Sequence, residues 1–496
     1  MSLWRTLEIA MRSNGDRPAL TRPDGFLMLY SELLEHVHKK AEKLGTLIPS
    51  GSKVAVMDQH PFHEALSVLA FIKLGITIIP LALKYGEQRT IQIIHHTKPD
   101  YLYTGEASLI SKPLIEACMS AGTTLIADQT VCLDADQWRS DSRNNREAAG
   151  LPPSLIMYTS GSTGLPKGAV LTYENIAANI RDIQTYLEVG DDDHLLIHRS
   201  LSHASVMTGE LLYGLIEGAR LTFYTDAFVP RRMLAFMELH GITQFGTTPT
   251  VMYQLALDKS DYRLPHLRQV ALMGEYLHHQ VACKIKDKWP HVTFFMMYGQ
   301  TEAAPRITYL PACHFAEKDG CIGIPLPSLD IRIVDEQGAD RQQGQVGELL
   351  VKGPNIFHGY WAQPELTASK LREGWLHTGD MVCEGEDGYL YMAGRKDDMI
   401  IRAGMNIYPI EIEEVLLKDS RIREAVAFGI PDPKYGHKLH VSIVPEIEDD
   451  LRPIDVLELC KKHLAPYQVP DVVQIVKEIV RNESGKTIRK QVVSVN

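Results

Sequence analysis

Between residues 154 and 176 the chain permits few local architectures. Ser154-Leu-Ile-Met-Tyr158 is a short apolar run of the kind that makes a buried strand. Thr172-Tyr-Glu-Asn-Ile176 reads as the start of a helix with a hydroxyl N-cap. Between them lies Thr159-Ser-Gly-Ser-Thr-Gly164, all small or hydroxylated, followed by Lys167. A strand feeding such a loop offers backbone N–H groups and hydroxyls to a polyphosphate, and the lysine adds countercharge. The spacing is not that of a Walker loop, which needs Gly-Lys-Ser/Thr four residues after its first glycine. Here Pro166 precedes the lysine and Gly168 follows it.

The flanking sequence fits an α/β frame. Tyr30–Val37 has a helical pattern, and Lys53–Met57 reads as a strand. Ala65–Gly75 is a largely buried helix ending at its glycine, and Ile76–Pro80 is another strand. This alternation predicts parallel-type sheets covered by helices on both faces, continuing from 151 to about 310. From 320 to 395 glycines and prolines crowd short β-like runs, which predicts a small barrel-like or antiparallel subdomain. Polar Asp134–Arg146 reads as a surface connection.

A chain of 496 residues exceeds one compact core, so more than one domain is expected. Arg395-Lys-Asp-Asp398, four charges after Gly394, cannot sit in a core and reads as an exposed connector. The expected division is a large domain over 1–394, a hinge over 395–398 and a small mobile α+β domain over 399–496. In the last, Pro409–Leu417 and Pro453–Leu464 read as helices, and Ala425–Ile430 and Val472–Val476 as strands.

Composition excludes several function classes. A net charge of −11 argues against a nucleic-acid partner; the short basic run Lys486-Thr-Ile-Arg-Lys490 is a local exception. Seven cysteines without a C-x-x-C pair fit reduced thiols and speak against a zinc site. Met1–Glu8 has no apolar stretch suited to a signal peptide, and no 18-residue apolar run occurs. The expectation is a soluble cytoplasmic enzyme with no transmembrane segment.

Further motifs follow in order: Tyr298-Gly-Gln-Thr-Glu302, Gly347-Glu-Leu-Leu-Val-Lys-Gly353, Trp375-Leu-His-Thr-Gly-Asp380, Gly394–Asp398, Gly404-Met-Asn-Ile-Tyr-Pro409 and Ser484-Gly-Lys486. With the loop, they make the chain from about residue 150 to 490 resemble the adenylate-forming superfamily of acyl-CoA synthetases, adenylation domains and luciferases. The resemblance implies ATP, Mg²⁺, a small-molecule carboxylic acid, and coenzyme A or a carrier protein's phosphopantetheine arm as thiol.

Making an acyl adenylate brings two anions together, so the site needs cationic and hydrogen-bonding clamps more than a protein nucleophile. By resemblance, Thr159, Ser160, Ser162, Thr163 and Lys167 hold the β- and γ-phosphates, with Gly161 and Gly164 in the same loop. Thr301 would contact the α-phosphate, and Glu302 the metal, directly or through water. Tyr298 can offer its ring to adenine, although a ring beside Phe294–Met297 also suits a core. Asp380 would accept from the ribose hydroxyls, with Arg395 as the cationic contact. Lys486 would bridge the attacking carboxylate and the α-phosphate. Ile479-Val480 stands where the family usually has Leu-Pro, a departure that touches loop geometry rather than charge.

The acyl pocket is less defined. His203 occupies the family's histidine position at the pocket mouth, where it orients or gates the carboxylate. Ala204 follows it, so no carboxylate is in place for an α-ammonium group, and an α-amino acid substrate is disfavoured. Gly246–Pro249, Met273–Tyr276 and Ala303-Ala304 are expected to line the cavity.

These residues support an acid–thiol ligase that adenylates a carboxylic acid and transfers it to coenzyme A. One alternative is a stand-alone adenylation enzyme loading a separate carrier; the chain ends about ten residues after Lys486, so no fused carrier is expected. Another is a catalytically inactive binding protein, which would not predict every charged motif position to be present. Gly404–Pro409 and Pro431–Gly436 look more like acyl-CoA synthetases. A rotation about Asp397 is expected to withdraw Lys486 and bring Gly404-Met405-Asn406 to the site.

Overall fold

The apolar runs become strands and the amphipathic segments become helices, and the strands of the larger body form two sheets. The computed structural model describes residues 2–127, 130–131, 152–159, 166–447, 450–480 and 489. Among them, one sheet has strand order Gly359–Tyr360, Lys167–Thr172, Ser154–Thr159, Thr77–Pro80, Lys53–Met57, Tyr101–Thr104, Thr124–Ala127, Thr130–Val131. Its centre is parallel. Helix Pro61–Leu74 is buried from Ala65 to Ile72 and ends at Gly75 in the left-handed region, φ 69°. That is the glycine stop its sequence suggested.

The second sheet is parallel through Pro18–Thr21, Arg220–Phe223, His194–Ile197, Gln244–Thr247, Gln269–Met273 and Thr293–Gly299. It continues antiparallel through Arg306–Leu310, Cys321–Pro325, Leu390–Arg395, Trp375–Glu384, Gly347–Lys352 and Asp330–Val334. This is the expected antiparallel subdomain. It is joined to the main sheet because Cys321–Pro325 pairs on both sides. At the junction Gly323 has φ 94°, and a Cβ there would lie 2.0 Å from the Tyr309 carbonyl oxygen. Only glycine fits that crossing.

One strand departs from the sequence reading. Lys167–Thr172 lies between the phosphate-type loop and the helix and runs antiparallel to Ser154–Thr159. Ala169-Val-Leu171 is buried there, so the apolar run pairs before the chain turns helical. Thr172 then caps helix Tyr173–Ile183: its side chain accepts from Asn175 N, and the Asn175 amide oxygen accepts from Thr172 N at 2.9 Å.

Residues 400–475 form a smaller α+β unit. Strands Ile422–Asp432, Gly436–Pro445 and Val472–Ile475 carry helices Pro409–Leu417 and Pro453–His463. Ile412, Leu416, Val441, Ile443 and Val456 make its own core. It touches the larger body where Tyr276 donates its phenolic proton to Glu414. Burial pushes both the Tyr276 phenol and the Glu414 carboxyl up. The connector adopts the expected exposed position: Arg395, Lys396 and Asp397 are all exposed, and Lys396–Asp398 is a single 3₁₀ turn. Asp134–Arg146 lies outside the described residues. No helix among the described residues is long and apolar enough to cross a membrane.

Candidate active site

The strand Thr293–Gly299 delivers Tyr298 and then turns sharply. A Cβ on Gly299 would sit 2.0 Å from the Pro305 carbonyl oxygen, so the Tyr-Gly pair is dictated by backbone approach. Thr301–Ala303 forms a 3₁₀ turn. Asn355 Nδ2 fixes it by donating to the carbonyls of Ala303 at 2.7 Å and Arg306 at 2.9 Å. Thr301 and Glu302 are thereby presented side by side, each half-buried.

Glu302 is held twice. Its carbonyl accepts from Phe357 N at 2.9 Å, and its carboxylate Oε1 accepts from the Tyr360 hydroxyl at 2.6 Å. Burial, then the Glu302 charge, pushes the Tyr360 phenol up, so it remains a proton donor. Tyr360 itself is paired opposite Ala169, on the strand that begins at Lys167. Trp361 N donates to the Gly168 carbonyl at 2.8 Å, and Gln363 Nε2 to the Pro166 carbonyl at 2.9 Å. Residues 359–363 therefore tie Glu302 to the trailing edge of the phosphate-type loop. A Cβ on Gly168 would lie 3.0 Å from the Tyr158 ring, whose hydroxyl meets His96 Nδ1 at 2.6 Å. Ser160–Gly164 and Lys486 lie outside the described residues, as does the Thr159 side chain; Lys167 begins a strand rather than standing in the loop.

Asp380 and its partners form the second element. Antiparallel register sets Asp380 opposite Arg395. Asp380 Oδ1 is 3.1 Å from Arg395 Nε, and Oδ2 accepts from the Tyr298 hydroxyl at 2.6 Å. Asp380 is 7% exposed, so its charge is compensated by these neighbours. Burial, reinforced by Asp380, drives the Tyr298 phenol well up, and the Asp380 charge raises Arg395. A carboxylate has about four lone-pair sites, so it can serve more than one donor at once. Beside it, Gly379 N donates to Glu348 Oε1 at 3.2 Å and Lys396 Nζ to Glu348 Oε2 at 3.0 Å. Burial pushes the Glu348 carboxyl up, but the Lys396 hydrogen bond and charge outweigh it and hold the group below its usual range.

His203 caps the helical run that begins at Ala204. Its Nε2 lies 2.8 Å from Lys84 Nζ. Next to it, the Tyr85 hydroxyl donates to Ser202 Oγ at 3.2 Å. Gly246 and Met273 line a small cavity with Glu210 and Arg306. Ala303 and Ala304 are fully buried. Tyr276, expected at the cavity, instead contacts Glu414, and Glu275 accepts from Thr250 N and Oγ1 at 3.1 and 2.6 Å.

Among the described residues no group of three His, Cys, Asp or Glu side chains could hold a metal ion. Glu302 alone is the donor set expected for Mg²⁺, which binds through one or two carboxylates with phosphate and water completing the shell.

The sequence profile described as AMP-binding enzyme matches residues 7–361, and that of the AMP-binding enzyme C-terminal domain matches 411–486. The chain belongs to the AMP-binding enzymes. A feruloyl-CoA synthase from an Amycolatopsis species is 31% identical over 481 residues, covering 95% of this chain and 94% of that protein. An oxalate–CoA ligase of Arabidopsis thaliana is 27% identical, covering 98% and 96%. The structure of Bacillus subtilis o-succinylbenzoate coenzyme A synthetase in complex with ATP and magnesium superposes with a TM-score of 0.84 at 25% identity, covering 100% of both chains. Family membership agrees with the motif series and with the large-plus-small domain architecture.

Four residues in this AMP-binding enzyme escaped the sequence reading. Lys84 and Tyr360 sit in segments with no motif of their own, and reach His203 and Glu302 only through folding. Glu348 and Lys396 were visible inside motifs, but their pairing depends on strand register.

Proposed function

We propose that this enzyme activates a carboxylic acid other than an α-amino acid as its adenylate and passes the acyl group to coenzyme A. The activity class is an ATP-dependent, AMP-forming acid–CoA ligase, supported by the family match and by relatives named as CoA ligases. Those relatives favour coenzyme A over a separate carrier protein as the acceptor.

In the first step a carboxylate oxygen of the acid attacks the α-phosphorus of ATP and the bond to pyrophosphate breaks. Thr159, Ser160, Ser162, Thr163 and Lys167 are assigned to the β- and γ-phosphates, and Thr301 to the α-phosphate. Glu302 would hold Mg²⁺, which would supply neutralisation of the charge on the phosphates. Tyr298, Asp380 and Arg395 take the adenosine end. Lys486 bridges carboxylate and phosphate. In the second step the thiol sulfur attacks the acyl carbonyl carbon, its proton is lost, and AMP leaves.

The observation that carries this reading is the tie from Glu302 through Tyr360 to the strand headed by Lys167, which sets the Thr301–Glu302 turn beside the strand that follows the phosphate-type loop. The Lys84–His203 contact supports a carboxylate at the pocket mouth. A cationic lysine attracts the acid and repels an α-ammonium group.

ATP–pyrophosphate exchange across a panel of carboxylic and amino acids tests the proposal, with thioester detected by mass spectrometry when coenzyme A is added. Exchange led by a simple aliphatic, aromatic or hydroxylated acid is expected. A ranking led by a proteinogenic amino acid would overturn the substrate assignment.

A further inference from the structure

The helical run after His203 widens into a π-type turn over Met207–Leu212. It carries Gly209 and Glu210 to the cavity that Gly246, Ala271, Met273 and Arg306 also line. From His203 to Glu210 is roughly 10 Å at helical rise. An acid whose carboxylate sits at His203 and whose tail follows this run would reach that cavity.

That deep end is charged. Arg306 is 2% exposed and Glu210 4%. Arg199 Nη2 pairs with Glu210 Oε1 at 2.5 Å, and Arg306 Nη1 donates to the Tyr186 hydroxyl at 2.8 Å. Two glycines make room for these groups. A Cβ on Gly209 would lie 2.6 Å from Arg306 Nη2, and one on Gly246 would lie 2.7 Å from Glu210 Oε1. Two guanidiniums face one carboxylate, so the cluster carries an excess positive charge. Among the described residues, Arg199 Nε and Arg306 Nε are buried donors without a hydrogen-bond partner, and Glu210 Oε2 is a buried acceptor without one. Buried donors left unpaired are costly, and a ligand supplying acceptors removes that cost.

We propose that Arg306, with Arg199, selects acids whose far end carries a second carboxylate, making a dicarboxylic acid the preferred substrate class. The inference rests on the reading that the acid enters beside His203. A second carboxylate supplies acceptor oxygens to Arg306, which lines the cavity with an orphaned N–H, and brings the cluster to charge balance. An apolar tail does neither.

The test is pyrophosphate exchange with straight-chain dicarboxylic acids of four to ten carbons, each paired with the monocarboxylic and the ω-hydroxy acid of equal length. The wild-type enzyme is expected to favour the best diacid at least tenfold in kcat/KM over both partners. Arg306→Met, checked by thermal melting and Mg-ATP binding, is expected to erase that preference, and Arg306→Lys to retain part of it. Exchange led by an apolar-tailed or ω-hydroxy acid overturns the inference and leaves the ligase reading standing, as does a diacid preference that survives in folded Arg306→Met. Absence of exchange with every acid, while Mg-ATP still binds, overturns the ligase reading and this inference with it.

Discussion

Asp380 and Arg395 face each other across an antiparallel strand pair, Oδ1 to Nε at 3.1 Å, while the other Asp380 oxygen accepts a hydrogen bond from the Tyr298 hydroxyl. Three residues drawn from three separated motifs thus act as one unit, held by an ion pair and a hydrogen bond. Asp380→Ala is expected to raise the KM for ATP about 10–100-fold, the loss of one or two charge-assisted hydrogen bonds. Pyrophosphate exchange at varied ATP measures it. An unchanged KM would assign Asp380 to fold support alone.

Tyr360 orients Glu302 through one hydrogen bond. Tyr360→Phe is expected to raise the Mg²⁺ concentration for half-maximal activity about tenfold, as the loss of a group orienting a metal ligand does. At saturating Mg²⁺ the rate should largely recover. A Mg²⁺ dependence identical to wild type would separate Glu302 from the metal.

The connector yields a prediction about the two half-reactions. A lysine bridging the α-phosphate must leave before a thiol can reach the same carbonyl, so a rotation at Asp397 is proposed, and hinges absorb such changes at a few residues. Fixing φ with Asp397→Pro is expected to spare pyrophosphate exchange and cripple thioester formation. Wild-type rates of both would move the hinge elsewhere. Rotation of the small domain must also break the Tyr276–Glu414 contact.

Stability should depend on pH through Glu64. Burial, then the charge of Asp58, pushes its carboxyl from 4.5 up to about 8, and its Oε1 has no partner among the described residues. Below 4.5 folded and unfolded chains both carry the proton; between 4.5 and about 8 only the folded chain does. Stability from this group is therefore highest at low pH and falls as pH rises through that window. Glu64→Gln, which cannot ionise, is expected to raise the melting temperature at pH 8 by roughly 3 °C or more and to leave it unchanged at pH 4.5. Equal effects at both pH values would contradict the assignment.

The sequence made local features legible where chemistry and backbone coincide. Gly75, Thr172 and the Pro409–Leu417 helix stand where periodicity and capping put them. Gly299 and Gly323 are explained only by a carbonyl 2.0 Å from a hypothetical Cβ, a fact of tertiary approach. The strand Lys167–Thr172 was hidden because a short apolar run beside a capping motif has no period of its own. Lys84 and Tyr360 were invisible for a related reason: each meets its partner across a separation of 119 or 58 residues. Arg306, four residues past Glu302, could have been flagged as a charge inside the largely apolar stretch Ala303 to Leu310.

The central claim is that a carboxylate oxygen of the acid becomes bonded to the α-phosphorus before the thiol arrives. Turnover with an acid carrying ¹⁸O in both carboxylate oxygens, ATP and coenzyme A tests it directly, with the AMP analysed by mass spectrometry. The expected product is AMP holding one ¹⁸O atom, alongside unlabelled pyrophosphate and the acyl thioester. Unlabelled AMP, or ADP with labelled phosphate, would contradict the account.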